Sequence, residues 1–480
     1  MNTIQRIIKN TAALLISSVV VNLLNFTAVV YLARVLNPGN FGKINFAIAV
    51  VAYFTLIANL GLPLFGTREI ARERQRMKEY MGNIVTLRLC MSLLGLAALF
   101  ILTIFLNKPF EIKCLLVLYG LILIPSAFLL DWVFQGAERM EYIGISRVTG
   151  GVVNLGLLLI IVKSSKQLLF VPGIYVISEL LVVVVMALIF TKNFGKLKLT
   201  FSISSWKNIL RRALPIGLSL FMAQIFYNID TVMLGFMRKD EEVGYYNAAY
   251  KIIMFLILLI GAYHDAVFPL ISRYLKTSLE SLSQLLRQTA KIMSILALPL
   301  AVGGTILAGH LISLVFGEKY LQGVAAFQIL IWAVFIICLN TGYSRGLFAS
   351  NKVKWYLAGT IIPAIVNVAA NFILIPLWGI KGAAIATVAA EAVGFWVMYT
   401  GFKAIVHVSF WRYIIRPFFA SIVMFLFIYW GIQRLNLNLF SLVTGSIVIY
   451  GVSLYLIKGV EADEIKLVFS TLLRNYGGWD

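Results

Sequence analysis

The chain is 480 residues long, 61% of them hydrophobic, with a mean hydropathy of +0.91, which excludes a soluble globular domain. Its 41 Lys and Arg against 20 Asp and Glu give a formal charge of +21. The basic residues are scattered over many short loops with no stripe of interleaved aromatics, so membrane topology and anionic headgroups account for them and nucleic acid is excluded as a partner.

Fourteen apolar stretches run nearly end to end, at 11–33, 44–64, 83–106, 114–135, 146–163, 169–191, 213–237, 248–271, 290–315, 323–346, 355–376, 380–402, 416–434 and 438–457. In lipid a segment must satisfy its own backbone hydrogen bonds, and about 20 apolar residues in a helix cover the hydrocarbon core. The expectation is an all-α polytopic membrane protein of about 14 transmembrane helices. The span at 146–163 is the weakest, being short and opened by Arg147. With the N-terminus inside, inner segments carry 28 of the 41 Lys and Arg and outer loops carry 11. That asymmetry predicts both termini in the cytoplasm and a cell (inner) membrane location. Arg6 and Lys9 precede the first span, but no small-residue cleavage site follows, so a retained helix is expected rather than a signal peptide. Cys90, Cys114 and Cys338 have no metal-ligand or disulfide spacing.

The chain repeats itself weakly. Asn25 is followed by Gly42-Lys43-Ile44-Asn45-Phe46-Ala47, and Asn228 by Gly244-Tyr245-Tyr246-Asn247-Ala248-Ala249. Pro63-Leu64 with Arg68 is echoed by Pro269-Leu270 with Arg273, and Asn154 by Asn371. Chance similarity is the competing explanation. A repeat would give two six-helix lobes of like topology, 1–191 and 213–402, as in many secondary transporters. Residues 192–212 form a basic cytoplasmic linker with an amphipathic part (Phe201, Ile203, Trp206, Ile209 and Leu210 against Lys207, Arg211 and Arg212), and 403–480 carries helices 13 and 14 and a tail.

Several motifs fall in a recognisable order. Leu32-Ala33-Arg34-Val35-Leu36-Asn37-Pro38 with Phe41-Gly42 follows the first span, and Gly61-Leu62 with Arg68-Glu69-Ile70-Ala71-Arg72 the second. Asn228-Ile229-Asp230-Thr231-Val232-Met233-Leu234-Gly235 lies in the seventh, and Asn371-Phe372-Ile373-Leu374-Ile375-Pro376 with Gly379-Ile380-Lys381-Gly382 in the eleventh. In these motifs the chain resembles the polysaccharide-unit (Wzx-type, O-antigen transporter-like) flippases of the multidrug/oligosaccharidyl-lipid/polysaccharide exporter superfamily, over most of 1–460. The resemblance implies a monomeric transporter, not an enzyme, that moves a polyprenyl-linked oligosaccharide between leaflets by alternating access among membrane lipids. It implies no cofactor beyond a coupling sodium ion or proton.

An anionic (pyro)phosphate needs cations at membrane depth. The candidates are Arg34, Arg88, Lys251 and Arg345; snorkelling of the long side chains to the headgroups is the competing role, chiefly for Arg34 and Arg345. Asn22, Asn25 and Asn154 are candidates to line a sugar path, since amides both donate and accept. Of the acidic residues within spans (Asp131, Glu179, Asp230, Asp265, Glu391), Asp230 carries the sharpest expectation. Lipid II flippases of the same superfamily bind sodium through an Asp of the seventh helix, an Asn and an acidic residue four apart in the eleventh, and a Thr of the twelfth. Asp230, Asn367, Asn371 and Thr387 fall on that pattern, with Asn371 standing where a second carboxylate is expected. The resemblance therefore implies Na+ at these four residues, and a helix–helix hydrogen-bond cluster without an ion is the alternative. A cation-exporting multidrug transporter of the same superfamily is the runner-up function. A membrane glycosyltransferase or sugar polymerase is disfavoured by short outer loops, by the absence of an Asp-x-Asp pair or Gly-rich phosphate loop, and by three His in no ligand spacing.

Overall fold

The computed structural model describes residues 3–406, 408–435 and 437–460, and all their side chains but those of 3–15, 219, 223, 259, 262, 265, 266 and 353. Asp265 and the C-terminal tail thus lie outside the described side chains. In chain order the helices are α1 (Thr3–Val35), α2 (Pro38–Asn59), α3 (Leu62–Arg72), α4 (Met77–Phe105), α5 (Phe110–Gly120), α6 (Leu123–Ala127), α7 (Asp131–Gly136) and α8 (Met140–Ile161). There follow α9 (Phe170–Phe194), α10 (Ile203–Met237), α11 (Asp240–Thr277), α12 (Leu279–Phe316), α13 (Val324–Ala349), α14 (Val353–Lys403), α15 (Trp411–Gln433) and α16 (Leu439–Leu456). The protein is an all-α polytopic membrane protein. Among the described residues 11 helical segments are long and apolar enough to cross a bilayer, or 12 with the bent α10. The expected fourteen differ in part because α14 covers two of them, the eleventh and twelfth, on either side of Gly379 (φ 56°, ψ −129°). That left-handed φ favours glycine, and a Cβ there would also push aside the Glu242 carboxylate, 2.6 Å away.

The chain divides into two compact units. The first comprises the chain up to Lys251 with Val315–Tyr320 and Val368–Ala383. The second comprises Ile252–Leu314, Leu321–Asn367 and the described residues from Ala384 onward.

In the first unit α1 packs along α8 and α8 along α9. Asn37 caps α2, accepting from the Asn40 amide at 2.8 Å, and Pro38 occupies the first turn, where its missing N–H costs nothing. A core of Phe65, Ile70, Met81, Ile84, Trp132, Phe134 and Phe190 joins α3, α4, α7 and α9. The amphipathic part of the linker becomes the first turns of α10. Its Ile209 enters this same core, with Trp206 and Leu210 packed against it, while Arg212 bonds both oxygens of Glu69, at 3.2 and 3.1 Å. Thr86 Oγ1 donates to the Thr200 carbonyl at 2.6 Å and ties down the extended stretch before it. The linker is therefore docked on the first unit through side chains of both kinds.

The two copies of the repeated Gly-x-x-Asn motif meet each other. A Cβ on Gly42 would overlap the Asp240 carbonyl oxygen, and one on Gly244 the Pro38 carbonyl oxygen, so the first turns of α2 and α11 touch backbone to backbone. Asn45 donates to the Phe41 carbonyl at 2.8 Å and Asn247 to that of Val243 at 2.9 Å, the same bond four residues back in each copy.

In the second unit, Tyr343, Phe395, Phe402, Val408 and Phe410 build one core and Leu307, Ala420, Met424, Ile428, Leu442 and Tyr450 another, the latter between α12 and the α15–α16 pair. Tyr450 donates to the Ile295 carbonyl at 2.8 Å, fixing α16 to α12.

Candidate functional site

Asp230 sits in the last turns of α10 and is buried, 4% exposed. Tyr246 of α11 donates its hydroxyl to Oδ2 at 2.6 Å, and Asn371 of α14 donates Nδ2 to Oδ1 at 2.6 Å. Both carboxylate oxygens thus accept short charge-assisted hydrogen bonds within the first unit. Thr231 alongside donates to Asn247 Oδ1 at 3.3 Å. Tyr246 is fully buried and escaped sequence reasoning; its place inside the repeated motif, where Lys43-Ile44-Asn45-Phe46 has no hydroxyl, was the available signal. Asn367, one helical turn before Asn371, is fully buried, and Thr387 is buried in the second half of α14. Among the described residues no group of three or more His, Cys, Asp or Glu is placed to hold a metal ion.

Arg88, expected as a cavity cation, is 3% exposed and heavily engaged. The expected fourth span is broken into α5, α6 and α7, with Pro125 inside it. Broken helices free carbonyls, and an unsatisfied carbonyl in hydrocarbon costs several kcal/mol. Arg88 supplies the missing donors. It gives Nη1 to the Leu129 carbonyl at 3.0 Å, Nη2 to the Ser126 carbonyl and Nε to Asn59 Oδ1 at 2.8 Å. Arg238 does the same for the break in α14, donating to the Ile375 carbonyl at 3.0 and 2.8 Å and to the Pro376 carbonyl at 2.8 Å.

Arg147, which weakened the fifth span in the sequence, is the centre of a second charged group. Its Nε and Nη2 grip Asp131 at 3.0 and 2.8 Å, and its Nη1 reaches Glu179 at 3.0 Å. One guanidinium therefore ties α7 to α9 through α8.

The other expected cations stand as follows. Arg34 Nε donates to the Val315 carbonyl at 2.9 Å. Lys251 is partly buried in α11 and makes no hydrogen bond or ion pair among the described residues. In the second unit, Arg345 lies over the Phe268 ring, 5.8 Å from its centroid, and His264 Nδ1 meets Thr341 Oγ1 at 3.0 Å. Of the expected sugar-path residues, Asn22 donates to the Ser18 carbonyl at 2.7 Å, Asn25 is exposed, and Asn154 is buried in α8 with its Oδ1 unbonded.

Comparison with known proteins is consistent with this architecture. Residues 7–275 match the family model described as "Polysaccharide biosynthesis protein", and residues 215–373 match that described as MatE. A putative O-antigen transporter of Escherichia coli (strain K12) is 24% identical over 372 residues, covering 75% of this chain and 88% of that protein. The probable flippase AglR of Haloferax volcanii is 29% identical over 169 residues, 35% of this chain and 36% of that one. Among solved structures, lipid II flippase MurJ in an inward closed conformation superposes with a TM-score of 0.73 at 16% identity, over 96% of this chain and 99% of that one. An inward-facing multidrug resistance MATE transporter superposes with a TM-score of 0.66 at 16% identity, over 80% and 95%. The fold is the one these transporters share, and with more than half its length matched, the chain belongs to the polysaccharide biosynthesis protein family.

Proposed function

We propose that the protein is a flippase carrying a polyprenyl-(pyro)phosphate-linked oligosaccharide from the cytoplasmic to the outer leaflet by alternating access, with both termini in the cytoplasm. The observation that carries this reading is the family match over 7–275, joined by relatives named as putative O-antigen transporters that match over about three quarters of this chain. Lys251 supports it. A lysine in a span with no partner among the described residues is costly, and an anionic headgroup is the partner its chemistry asks for.

Coupling is assigned to Asp230. With both oxygens held by Tyr246 and Asn371, the carboxylate is satisfied without an ion. A monovalent cation would enter by displacing the tyrosine hydroxyl and taking Asn371 with its amide turned to present Oδ1, giving the all-oxygen ligation a hard ion prefers. Protonation of Asp230 is the same switch with a smaller cation. Either way a net charge moves, and the membrane potential acts on it by about 2.3 kcal/mol per charge per 100 mV.

The direct test is translocation in proteoliposomes of a fluorescent polyprenyl-pyrophosphate oligosaccharide, with and without a sodium gradient. Flipping faster than in protein-free vesicles is expected. Movement of cationic dyes and of no lipid-linked sugar would replace this reading with drug export.

A further inference from the structure

A cavity of about 480 Å3 lies in the first unit among α2, α4, α5, α6, α9 and α10. Its size falls within the range of small-molecule sites, about 300–1,000 Å3. Nearly half of its lining residues are aliphatic, and its polar groups include Asn59, Arg88, Tyr119, Tyr175, Glu179 and Gln224, with Thr55 and Ser126 bonded back to their own helices.

Three observations bear on what such a wall accepts. The first is charge. Arg88 commits all three of its nitrogens to Asn59 and two carbonyls, and Glu179 is held by Arg147, which also grips Asp131. Arg88 and Glu179 are the charged residues of the lining, one of each sign, so the wall is electrically neutral and offers no net attraction to a phosphate. The second is an orphan. Tyr119 is 3% exposed, and its hydroxyl has no hydrogen-bond partner among the described residues. A buried hydroxyl is costly when left unpaired, so this one awaits an acceptor. The third is the mix of surfaces. The rings of Tyr119 and Tyr175 stand 6.0 Å apart, tilted by 52°, beside aliphatic side chains, an amide and a carboxylate. A pyranose ring presents the matching chemistry, with C–H faces for the apolar wall and hydroxyls that both donate and accept for Glu179, Gln224 and Tyr119. An acyl or polyprenyl chain would leave the polar groups unmet.

We infer that this cavity is a subsite for an uncharged sugar ring of the cargo, separate from whatever binds its phosphates. The inference rests on the flippase reading, and its test separates the two. Wild-type protein, Tyr119→Phe and Gln224→Leu are compared in proteoliposomes on two probes, undecaprenyl pyrophosphate alone and undecaprenyl pyrophosphate bearing a trisaccharide. Neither side chain is part of the charged cluster, so both variants should fold. Flux of the sugar-bearing probe should fall about tenfold, the value of one well-placed hydrogen bond, while flux of the bare carrier stays within about twofold. Equal losses on both probes, or none on either, would overturn the subsite. If wild-type protein moves neither probe, the flippase reading fails by itself. The subsite is then decided by Gln224→Cys in the full chain, whose new thiol should be shielded from a membrane-permeant maleimide by the sugar-bearing probe and not by the bare one. Shielding by both or by neither rejects it.

Discussion

Tyr246 donates its hydroxyl to Oδ2 of Asp230 at 2.6 Å, closing off an oxygen that a cation would otherwise reach. In the coupling proposed above, the tyrosine hydroxyl takes the place of an ion at Asp230. Tyr246→Phe removes the stand-in while keeping the ring and its stacking on Tyr250, 5.8 Å away. The variant should lose about 1–2 kcal/mol of stability, because a buried charged acceptor loses a donor. It should also respond to sodium, or to acid, at lower concentration than wild type. Asp230→Asn should fold and show no cation dependence. A series of flux measurements against sodium and pH checks both, and wild-type cation dependence in Asp230→Asn would remove coupling from this residue.

Arg88→Lys keeps the charge and loses the fork. A single ammonium cannot span Asn59 and the carbonyls of Ser126 and Leu129, so the break between α6 and α7 is left with an unmet acceptor. A loss of about 1–3 kcal/mol is expected, read as a lower melting temperature in detergent. Because the role is to hold a broken helix, transport per folded molecule should fall equally for singly and doubly charged cargo. A selective loss on the more anionic cargo would return Arg88 to phosphate binding.

The fold class was legible because the bilayer imposes one rule on every segment, and long apolar runs report it directly. Gly42 and Gly244, which the sequence comparison of the two halves singled out, occupy a backbone crossing that tolerates no side chain. The roles of the arginines were not legible. Arg88, Arg147 and Arg238 look alike in sequence, as cations in or beside apolar runs. What separates them is the partner each reaches, 38 and 41 residues away for the carbonyls met by Arg88 and 137 and 138 for those met by Arg238. Pro125 and Gly379 announce the breaks in the chain, but which guanidinium caps each break is decided by packing. Asp230 and Asn371 were paired through the family resemblance, and the structure brings them together; Tyr246, which completes the cluster, had no counterpart in that pattern.

Gly42→Ala and Gly244→Ala should each cost about 1–3 kcal/mol, the cost of forcing a methyl into a filled contact. Each Cβ would overlap a backbone carbonyl, which cannot swing aside as a side chain can. The double variant should cost clearly less than the two singles together, since the first methyl already separates the helices that the second would meet. Thermal melts of the three variants in detergent decide this. Strict additivity would mean that the two glycines do not share one contact.

Lys251→Gln tests the remaining cation. Removing an ammonium that has no partner among the described residues should leave stability unchanged or raise it, since an unpaired charge in a span is a liability for the fold. Function should move the other way. If Lys251 pairs with the cargo phosphates, flux of a pyrophosphate-linked sugar should fall about tenfold or more, and that of a monophosphate-linked sugar by less, because the lost attraction scales with the charge it faced. Restoring a cation with Lys251→Arg should recover part of the rate. A stable Lys251→Gln protein that transports both cargoes at the wild-type rate would show that the ammonium only snorkels to the headgroups, and the phosphate partner would then have to be sought at Arg34 or Arg345.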